Sequence, residues 1–424
     1  MALNGKVNDK VSIVGAGGHV GLPLSLVLAD AGFQVTGIDT NRDLINTLSR
    51  GVVPYVEEGA AELLKSTLAS GKLKFSSGSY QSIASSDTLI VIIGTPVDEY
   101  LNPRIDSLFN LFDRHRRFLH KNQLIILRST VSPGTTDLVK SMIEERTRMK
   151  EGRDFHLVFA PERVLQTKAI HEIKHLPQLV GAFSDASFAR AQTFFSKFLK
   201  NKCIRLAPVE AEMGKLITNM SRYISFALAN EFYLIADSFG ANIHKVIRAC
   251  NLDYPRMNLP KPGPNVGGPC LYKDGYYLVE KIPFPEMIAA SFKINESVPM
   301  YLVEKVRRLA TLRRAAILGM TFKANCDDPR NSLSFKLRKI LRSLKCETVE
   351  VDPYLPECRD FQRLRGVDAL FLMTPHREFR DLQNILKHVR NPKCLVVDMW
   401  NFWDENEGLA HDGIYPAARA RIPV

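Results

Sequence analysis

A chain of 424 residues is too long for one hydrophobic core and predicts two or three domains. Its composition, with 45% apolar and 24% charged residues, is that of an ordinary globular protein. No apolar run approaches the roughly 20 residues that a membrane span needs, and residues 1–10 lack the apolar core of a signal peptide. We therefore expect no membrane association.

The net charge of +12 does not by itself indicate nucleic-acid binding. About half of the basic excess falls in residues 301–424, on segments such as 307–314 and 336–345, where Lys and Arg alternate with Leu, Ile and Val. This pattern is typical of solvated helix faces. We expect no nucleic-acid partner, and the charge suits a small ligand that carries phosphate.

The seven cysteines are scattered along the chain without a CxxC pair. Their odd number and wide spacing argue against a disulfide framework and against a structural zinc site. The sequence therefore favours a reducing, cytoplasmic setting and no bound metal.

The clearest segment lies near the N-terminus. Residues 11–14 read as a buried strand, 15–21 as a glycine-rich turn, 22–31 as a helix and 33–38 as a second strand that ends in Asp39. In this order of elements, a pyrophosphate approaches the helix N-terminus and the acid holds the ribose hydroxyls. The segment predicts a Rossmann-type dinucleotide site.

The glycine turn departs from the G-x-G-x-x-G pattern. Val20 stands where Gly15 and Gly17 require a third glycine, so we expect one extra residue in the loop. The carboxylate of Asp39 would repel a 2′-phosphate and favours NAD over NADP, although Arg42 leaves NADP open. The predicted cofactor contacts in this segment are Gly15, Gly18, His19, Val20, Gly21, Asp39 and Arg42.

Further strand-like runs occur at residues 88–93, 124–127 and 156–159, with helical patterns between them. In an open parallel sheet, ligands bind at the carboxyl ends of the strands. The residues that follow these runs are therefore either ligand contacts or simple turn residues; they are Gly94-Thr95-Pro96, Ser129-Thr130 and Pro161-Glu162.

Residues 210–239 predict one long helix, because apolar residues recur at helical spacing and nothing interrupts them before Gly240. Lys215 and Asn219 are four residues apart and share a face of it. They are either solvated surface residues or polar groups that a buried spine presents to a cleft.

Cys270 follows Gly267, Gly268 and Pro269 and precedes Lys273 and Asp274. The glycines let a substrate approach the backbone, Lys273 would favour the thiolate, and Asp274 would serve as a base. On local context alone, a small buried structural cysteine stays an alternative to a nucleophile.

The third region repeats the logic of the first. A strand at residues 315–319, a helix that ends at residue 344 and strands at 347–351, 369–373 and 395–398 form a second α/β unit. This unit lacks a glycine-rich phosphate turn. We interpret it as a degenerate duplicate that binds something other than the dinucleotide, or merely packs.

Together these motifs resemble the nucleotide-sugar 6-dehydrogenases, a family of UDP-glucose, GDP-mannose and UDP-N-acetylhexosamine dehydrogenases. The resemblance extends from Val11 to Asp404, with the motifs in order. The motifs that carry it are Gly21-Leu22-Pro23, Gly94-Thr95-Pro96, Ser129-Thr130, Pro161-Glu162-Arg163-Val164, Glu212 to Lys215 with Asn219, Gly267 to Asp274, and Phe322-Lys323 with Asp327 to Arg330.

The resemblance implies a four-electron oxidation of the sugar C6 alcohol to a carboxylate, with two NAD molecules consumed in succession. Cys270 would carry a thiohemiacetal and then a thioester, and Lys215 with Asn219 would stabilise the oxyanion. Asp274 and Glu162 would act as general bases.

The resemblance also assigns binding roles. Thr95, Thr130 and Arg330 would contact NAD, with Thr130 near the nicotinamide. The substrate contacts would be Glu162, Arg163, Val164, Lys215, Asn219, Arg222, Arg256, Gly267, Phe322 and Lys323.

The loops at residues 161–165 and 261–266 look most like the UDP-N-acetylmannosamine branch, in a pathway for surface polysaccharide precursors. UDP-glucose and UDP-N-acetylglucosamine 6-dehydrogenases are alternatives, and Pro269 sits where many relatives of that branch have His. A two-electron hydroxyacid dehydrogenase and a non-catalytic nucleotide-binding protein are more remote alternatives.

The expected architecture is α/β, with a Rossmann-type NAD domain at residues 1–207, a central helical and dimerisation domain at 208–300 that carries the Cys270 loop, and a Rossmann-like UDP-sugar domain at 301–424. The apolar length of the central helix suggests pairing with a second copy, and the resemblance implies a homodimer or a higher homo-oligomer.

Overall fold

The computed structural model describes residues 9–99, 102–269, 271–279, 283–403 and 413–420. It divides into two compact units, unit 1 with Met1–Thr218 and Tyr276–Ile282, and unit 2 with Asn219–Gly275 and Pro283–Val424. The three-domain division at residues 207 and 300 stays a prediction. Cys270, the predicted nucleophile, lies outside the described residues.

Unit 1 alternates strands and helices along the chain. Its elements are β1 (Lys10–Val14), α1 (Gly21–Asp30), β2 (Gln34–Asp39), α2 (Arg42–Ser49), α3 (Ala60–Ala69), β3 (Leu73–Ser77), β4 (Thr88–Val91), α4 (Asp106–His115), β5 (Leu124–Leu127), α5 (Thr135–Thr147), β6 (His156–Phe159), α6 (Ala169–His175), β7 (Gln178–Ala182), α7 (Asp185–Phe195) and β8 (Cys203–Leu206).

Among the described residues, these eight strands form one sheet in the order β3-β2-β1-β4-β5-β6-β7-β8. All neighbours are parallel except β6 and β7. Ile13 and Val14 belong to different apolar clusters, because alternate residues of a strand face opposite sides of the sheet. From β1 the chain adds strands β2 and β3 on one side of the sheet, and from β4 it adds strands on the other side. Sheets of this kind bind ligands at the carboxyl ends of the two strands where the direction changes, here β1 and β4.

Four helices follow: α8 (Pro208–Ser238), α9 (Ile243–Asn251), α10 (Leu271–Val279) and α11 (Glu286–Leu309). The 31-residue α8 confirms the long helix predicted at residues 210–239, and it runs from unit 1 into unit 2. The sequence pattern did not reveal α11, which contains Pro299. No helix in the described ranges is long and apolar enough to cross a membrane.

Unit 2 contains a second α/β sheet. Its elements are β9 (Arg314–Leu318), α12 (Ser334–Ser343), β10 (Glu347–Val351), β11 (Ala369–Leu372), α13 (Leu382–Val389), β12 (Leu395–Val397), β13 (Ile414–Pro416) and α14 (Ala417–Ala420). Within the described part of the chain, the strand order is β10-β9-β11-β12-β13, and β13 alone runs antiparallel to its neighbour.

The predicted α/β architecture, with a Rossmann-type sheet, a long helix and a second Rossmann-like sheet, is confirmed. One prediction was wrong: residues 307–314 are not one helical segment, since α11 ends at Leu309 and Arg314 opens β9. Arg314 is drawn into the sheet because residues 315–318 form a buried strand beside β11.

Candidate active site

The glycine turn after β1 is built for close backbone contact. Gly15 has φ +89°, its N–H donates to Ile38 O at 2.8 Å, and a Cβ there would lie 2.2 Å from Ile92 O. A Cβ on Gly21, the first residue of α1, would lie 2.1 Å from Gly15 O. Gly21 therefore fulfils the role of the third glycine, and the turn accommodates the extra residue expected from the sequence.

The surroundings of this turn fit NAD. No side chain caps the N-terminus of α1, and the helix dipole there favours a pyrophosphate. The Asp39 carboxylate accepts hydrogen bonds from Gly17 N at 3.1 Å and Asn41 N at 3.0 Å, so the acid stands beside the turn. Arg42, the first residue of α2, is exposed.

Two residues that the sequence did not single out, Tyr55 and Gln166, hold the turn in place. Tyr55 donates its hydroxyl hydrogen bond to Gly18 O at 2.9 Å, and its ring lies 4.1 Å from the ring of His19. Gln166 hydrogen-bonds His19 Nδ1 at 3.1 Å. Because these two residues come from separate loops, no local motif marks them. His19 and Val20 are half-buried, and Gly18 is exposed.

The ends of β4 and β5 are tied together at the predicted Thr95 and Thr130. Thr95 Oγ1 donates to Thr130 O at 2.6 Å, and Ser129 Oγ donates to Ile93 O at 2.8 Å. Tyr277 Oη donates to Thr95 O at 2.6 Å. The side chain of Thr95 is therefore committed to the loop beyond β5, and Thr130 is half-buried beside it.

Glu162 is buried and paired with a cation that the sequence did not reveal. Arg128, itself buried, donates to Glu162 Oε2 and to Gln178 Oε1, the latter at 3.2 Å. Next to it, Arg163 donates to Pro177 O, and burial lowers the pKa of this guanidinium, against the opposing charge of Glu162. Val164 is partly buried against the unit 1 core.

Helix α8 carries the predicted Lys215, which is half-buried, and the buried Asn219 one turn further on. One turn before Lys215, the fully buried Glu212 accepts hydrogen bonds from Gly134 N at 2.6 Å and Thr136 N at 2.7 Å. Burial raises the pKa of Glu212, although these hydrogen bonds lower it in part. Glu212 thus caps α5 and fixes the position of α8 in unit 1.

In unit 2, the structure brings together Asn219 and Asp274. Asn219 Nδ2 donates to Asp274 Oδ2 at 2.6 Å, and the Asp274 side chain is fully buried. Arg222, in contrast, is exposed, as is Arg256, whose guanidinium donates to Tyr254 Oη at 2.9 Å and stacks on that ring. The predicted substrate contacts Arg222 and Arg256 therefore take no part in the buried Asn219–Asp274 hydrogen bond.

The segment that carries the predicted substrate residue Gly267 packs against the loop that carries Phe322 in unit 2. A Cβ on Gly267 would be 2.4 Å from Asn331 O, and one on Gly268 would be 2.7 Å from the Phe322 ring. Lys323, next to Phe322, is half-buried, and its carbonyl accepts a hydrogen bond from Thr321 Oγ1 at 3.1 Å.

The predicted NAD contact Arg330 belongs to unit 2 and makes a bidentate pair with the buried Asp328, at 2.9 and 2.6 Å. Its guanidinium is thus held by that carboxylate.

A cavity of about 250 Å³ opens at the carboxyl ends of β11 and β12. Three cations, Arg248, Lys261 and Arg380, and the rings of Trp400 and Phe402 line it. The volume is below the roughly 300–1,000 Å³ of sites for drug-sized ligands, so the cavity suits a phosphate or a base rather than a whole sugar nucleotide.

The turn after β9 in the second sheet has the same backbone hydrogen bond as the turn after β1, but the acid beside it is buried. Gly319 N donates to Val351 O at 2.8 Å, as Gly15 N does to Ile38 O. Asp352, which corresponds to Asp39, is fully buried and accepts from Met320 N at 2.6 Å and from His376 Nε2 at 3.1 Å. This acid is used inside the protein and cannot hold a ribose.

Most described thiols are unsuited to nucleophilic chemistry. Burial raises the pKa of Cys394 to about 12 and of Cys346 and Cys358 to about 11. Burial likewise raises the pKa of the half-buried Cys203 to about 11. Cys250 is exposed and makes a natural control in thiol experiments.

A Rossmann-type sheet with a glycine turn and an acid, joined through a long helix to a second α/β sheet, defines a dinucleotide-dependent dehydrogenase. The chain belongs to the UDP-glucose/GDP-mannose dehydrogenase family: the family's NAD binding domain matches residues 9–199, its central domain 209–297 and its UDP binding domain 316–405. It is therefore an NAD-dependent nucleotide-sugar dehydrogenase, and the predictions of NAD and of this enzyme class are confirmed.

Individual relatives are similar along almost the whole chain. The UDP-N-acetyl-D-mannosamine dehydrogenase of Pyrococcus horikoshii is 30% identical over 415 residues, which cover 93% of this chain and 96% of the relative. The enzyme of that name from Methanocaldococcus jannaschii is 30% identical over 420 residues, 93% of each chain.

Solved structures agree with these relatives. The structure of the Pyrococcus horikoshii enzyme has a TM-score of 0.84 at 30% identity and covers 90% of this chain and 93% of its own. The UDP-N-acetyl-mannosamine dehydrogenase of Staphylococcus aureus has a TM-score of 0.81 at 29% identity, with 91% and 93% covered.

Proposed function

We propose that this chain oxidises UDP-N-acetylmannosamine at C6 to the uronic acid, by a four-electron reaction that supplies precursors for a surface polysaccharide. The observation that carries the proposal is the buried Asn219–Asp274 hydrogen bond, a polar pair in which Asp274 follows Cys270 by four residues in the sequence. The similarity to two UDP-N-acetyl-D-mannosamine dehydrogenases supports the choice of sugar.

The balanced reaction consumes one sugar nucleotide, two NAD and one water, and gives one uronate, two NADH and three protons. NAD held by the glycine turn and Asp39 would supply the hydride acceptor in each of the two oxidations. Between them, the Cys270 thiolate adds to the C6 aldehyde, because an aldehyde releases hydride readily only after a nucleophile has added. Loss of hydride from this thiohemiacetal gives a thioester, and water cleaves the C–S bond to release the acid and the thiol.

The other roles follow from chemistry. We assign stabilisation of the oxyanion to Lys215, a half-buried cation, and to Asn219, whose amide N–H groups are donors. Asp274 and Glu162 are the carboxylates assigned to activate water. The hydrogen bond from Asn219 orients Asp274, and the ion pair with Arg128 orients Glu162. Thr130 is assigned to the nicotinamide end.

The cavity at Lys261 supports a place for part of the UDP group. Arg248, Lys261 and Arg380 would neutralise phosphate, and the Trp400 ring offers a flat surface on which uracil would stack. The remaining predicted substrate contacts, including Arg163, Val164, Arg222 and Arg256, stay proposals, as does a reach of Arg330 toward NAD.

We also propose that the chain forms a homodimer through α8. One face of this helix exposes a row of apolar side chains, namely Met213, Ile217, Leu228, Phe232 and Ile235. By helical spacing, Lys215 and Asn219 lie on the face opposite to this row. Exposed apolar side chains along one helix face are typical of protein interfaces, and an isologous contact would pair α8 with its copy.

The deciding experiment counts NADH formed per sugar consumed across a panel of UDP- and GDP-sugars. We expect two NADH per UDP-N-acetylmannosamine, with higher kcat/KM than for UDP-glucose or UDP-N-acetylglucosamine. Cys270→Ser should lower the rate of acid formation by at least about a thousandfold, because the acyl carrier is lost.

Cys250→Ser, which removes an exposed thiol, is the matched control and should keep wild-type kinetics. One NADH per sugar would favour a two-electron hydroxyacid dehydrogenase, and undiminished acid formation by Cys270→Ser would exclude a thioester on Cys270. Absence of NADH with every sugar would favour a non-catalytic nucleotide-binding protein.

A further inference from the structure

Asn265 is a buried residue of unit 2 to which the reaction above gives no role. It lies in the middle of the stretch 263–268, which leads into Pro269 and Cys270 in the sequence. A buried primary amide is retained without penalty only when its oxygen and both N–H groups have partners. The partners of Asn265 therefore show what it holds together.

The amide of Asn265 is fully used by residues of the loops that follow β9 and β11, including Ser332 Oγ at 3.1 Å. Its Oδ1 accepts from Leu333 N at 2.8 Å. Its Nδ2 donates to Thr374 Oγ1 at 2.8 Å and to Thr321 O at 3.0 Å. Thr374 Oγ1 passes its own hydrogen on to Thr321 O at 2.6 Å, so donors and acceptors match throughout.

Thr321 and Leu333 are the two ends of the loop that carries Phe322 and Lys323. One side chain thus bonds both ends and closes the base of that loop. Because α12 begins only after Leu333, the hydrogen bonds of Asn265 set the distance between the two ends of the loop.

The glycines that follow Asn265 lie against the same loop. Gly268 N donates to Asn331 O at 3.1 Å, and Gly268 has φ +99°, a conformation that glycine adopts without strain. At the other end of the stretch, Gly263 N donates to Asn230 Oδ1 at 2.9 Å. The stretch is therefore pinned at both ends and at Asn265 in its centre.

We propose that Asn265 is a positioning residue for the UDP-sugar, which joins the stretch 263–268 and the loop 322–332 into one fixed unit. Through it, Phe322, Lys323 and Gly267 keep their relative positions when the nucleotide binds. The inference rests on the proposed function in taking these three residues as substrate contacts.

The test uses the full-length chain with Asn265→Ala and Asn265→Asp, which remove or reverse the Nδ2 donor. The matched control is Asn391→Ala: Asn391 is a half-buried amide of unit 2 whose Nδ2 donates to Val367 O at 2.9 Å and whose Oδ1 accepts from Lys393 N at 3.1 Å, and these partners belong to neither the stretch 263–268 nor the loop 322–332. Affinities for UDP and for NAD are measured separately by calorimetry, together with Tm.

We expect both Asn265 variants to lose about tenfold or more in UDP affinity while NAD affinity is unchanged, because a displacement of one loop by a fraction of an ångström disrupts several contacts to UDP. Asn391→Ala should lower Tm but keep the affinity for UDP. This split separates positioning from a general loss of structure.

Wild-type UDP affinity in the Asn265 variants would overturn the proposal. So would an equal loss of UDP and NAD affinity, or an equal loss of UDP affinity in Asn391→Ala. If the wild type binds UDP but forms no NADH with any nucleotide sugar, the proposed function fails while the UDP measurement still decides the role of Asn265.

Discussion

At the scale of single residues, the sequence predicted those site residues that a local sequence pattern identifies. Asn219 and Asp274 were both predicted, although 55 positions separate the two residues that share a 2.6 Å hydrogen bond. Helical spacing places Asn219 beside Lys215, and Asp274 stands close to the cysteine. Arg128 and Tyr277 were missed, because their partners come from distant parts of the chain and no motif announces them.

Asp39→Asn tests the cofactor site at this scale. The change keeps the size and one acceptor oxygen of the side chain but removes the charge that strengthens hydrogen bonds to the ribose. We expect KM for NAD to rise about tenfold and KM for the UDP-sugar to stay constant. Discrimination against NADP should fall, because repulsion of the 2′-phosphate disappears.

Steady-state kinetics with both cofactors measure these effects. Asp43→Asn, which changes an exposed acid in the first turn of α2, serves as control and should leave both KM values as they are. Unaltered KM for NAD in Asp39→Asn would place the ribose elsewhere.

At the scale of elements, the long helix and most buried strands followed from the sequence, whereas the buried strand β7 and the edge strands β3 and β8 of unit 1 did not. Strands β1, β4 and β5 are nearly continuous apolar runs, as burial on both faces requires. The edge strands β3 and β8 carry exposed or half-exposed polar residues, so they show neither a buried run nor a clean alternation. Helix α11 was obscured by Pro299, which ordinarily ends a helical pattern.

The exposed row of α8 gives a prediction for this element. Replacement of Ile217 and Leu228 by Glu should weaken self-association by about a hundredfold or more, since each apolar side chain lost from an interface removes roughly 1.5–3 kcal/mol. Light scattering is expected to give twice the chain mass of 47.7 kDa for the wild type and a single chain for the double variant.

Leu138→Glu is the matched control, because Leu138 is an exposed apolar residue of similar size on α5. It should leave the mass unchanged. A wild-type chain that is monomeric at micromolar concentration would contradict a dimer through α8.

At the scale of the whole molecule, the two sheets differ in how their acids are used, and this difference has a measurable pH dependence. Burial by itself would raise the pKa of Asp352, but the hydrogen bond and charge of His376 and the backbone N–H groups of Tyr354 and Thr321 lower it overall. The structure therefore favours the ionised form of Asp352.

A lowered pKa in the folded state contributes stability that is present above the unfolded pKa and is lost as pH falls through the folded pKa. We expect the free energy of unfolding of the wild type to fall below about pH 4. Asp352→Asn should be less stable at pH 7 and should show a shallower fall in acid.

Urea unfolding between pH 3 and pH 7 measures both effects. Asp360→Asn, an exposed acid of the same unit, is the control and should retain the slope of the wild type. An identical slope for Asp352→Asn and the wild type would show that Asp352 does not govern acid sensitivity.

The burial of Asp352 also bears on the order of steps in the catalytic cycle. Among the described residues, Asp39 is the acid that stands open beside a glycine turn, whereas its counterpart is sealed by His376. An enzyme that oxidises one carbon twice with a single dinucleotide site must release reduced cofactor and admit a fresh molecule halfway through. On the proposed reaction, the half-oxidised sugar waits during this exchange, so a reactive aldehyde would escape unless it is held. The covalent bond to Cys270 then acts as a tether as well as a catalyst.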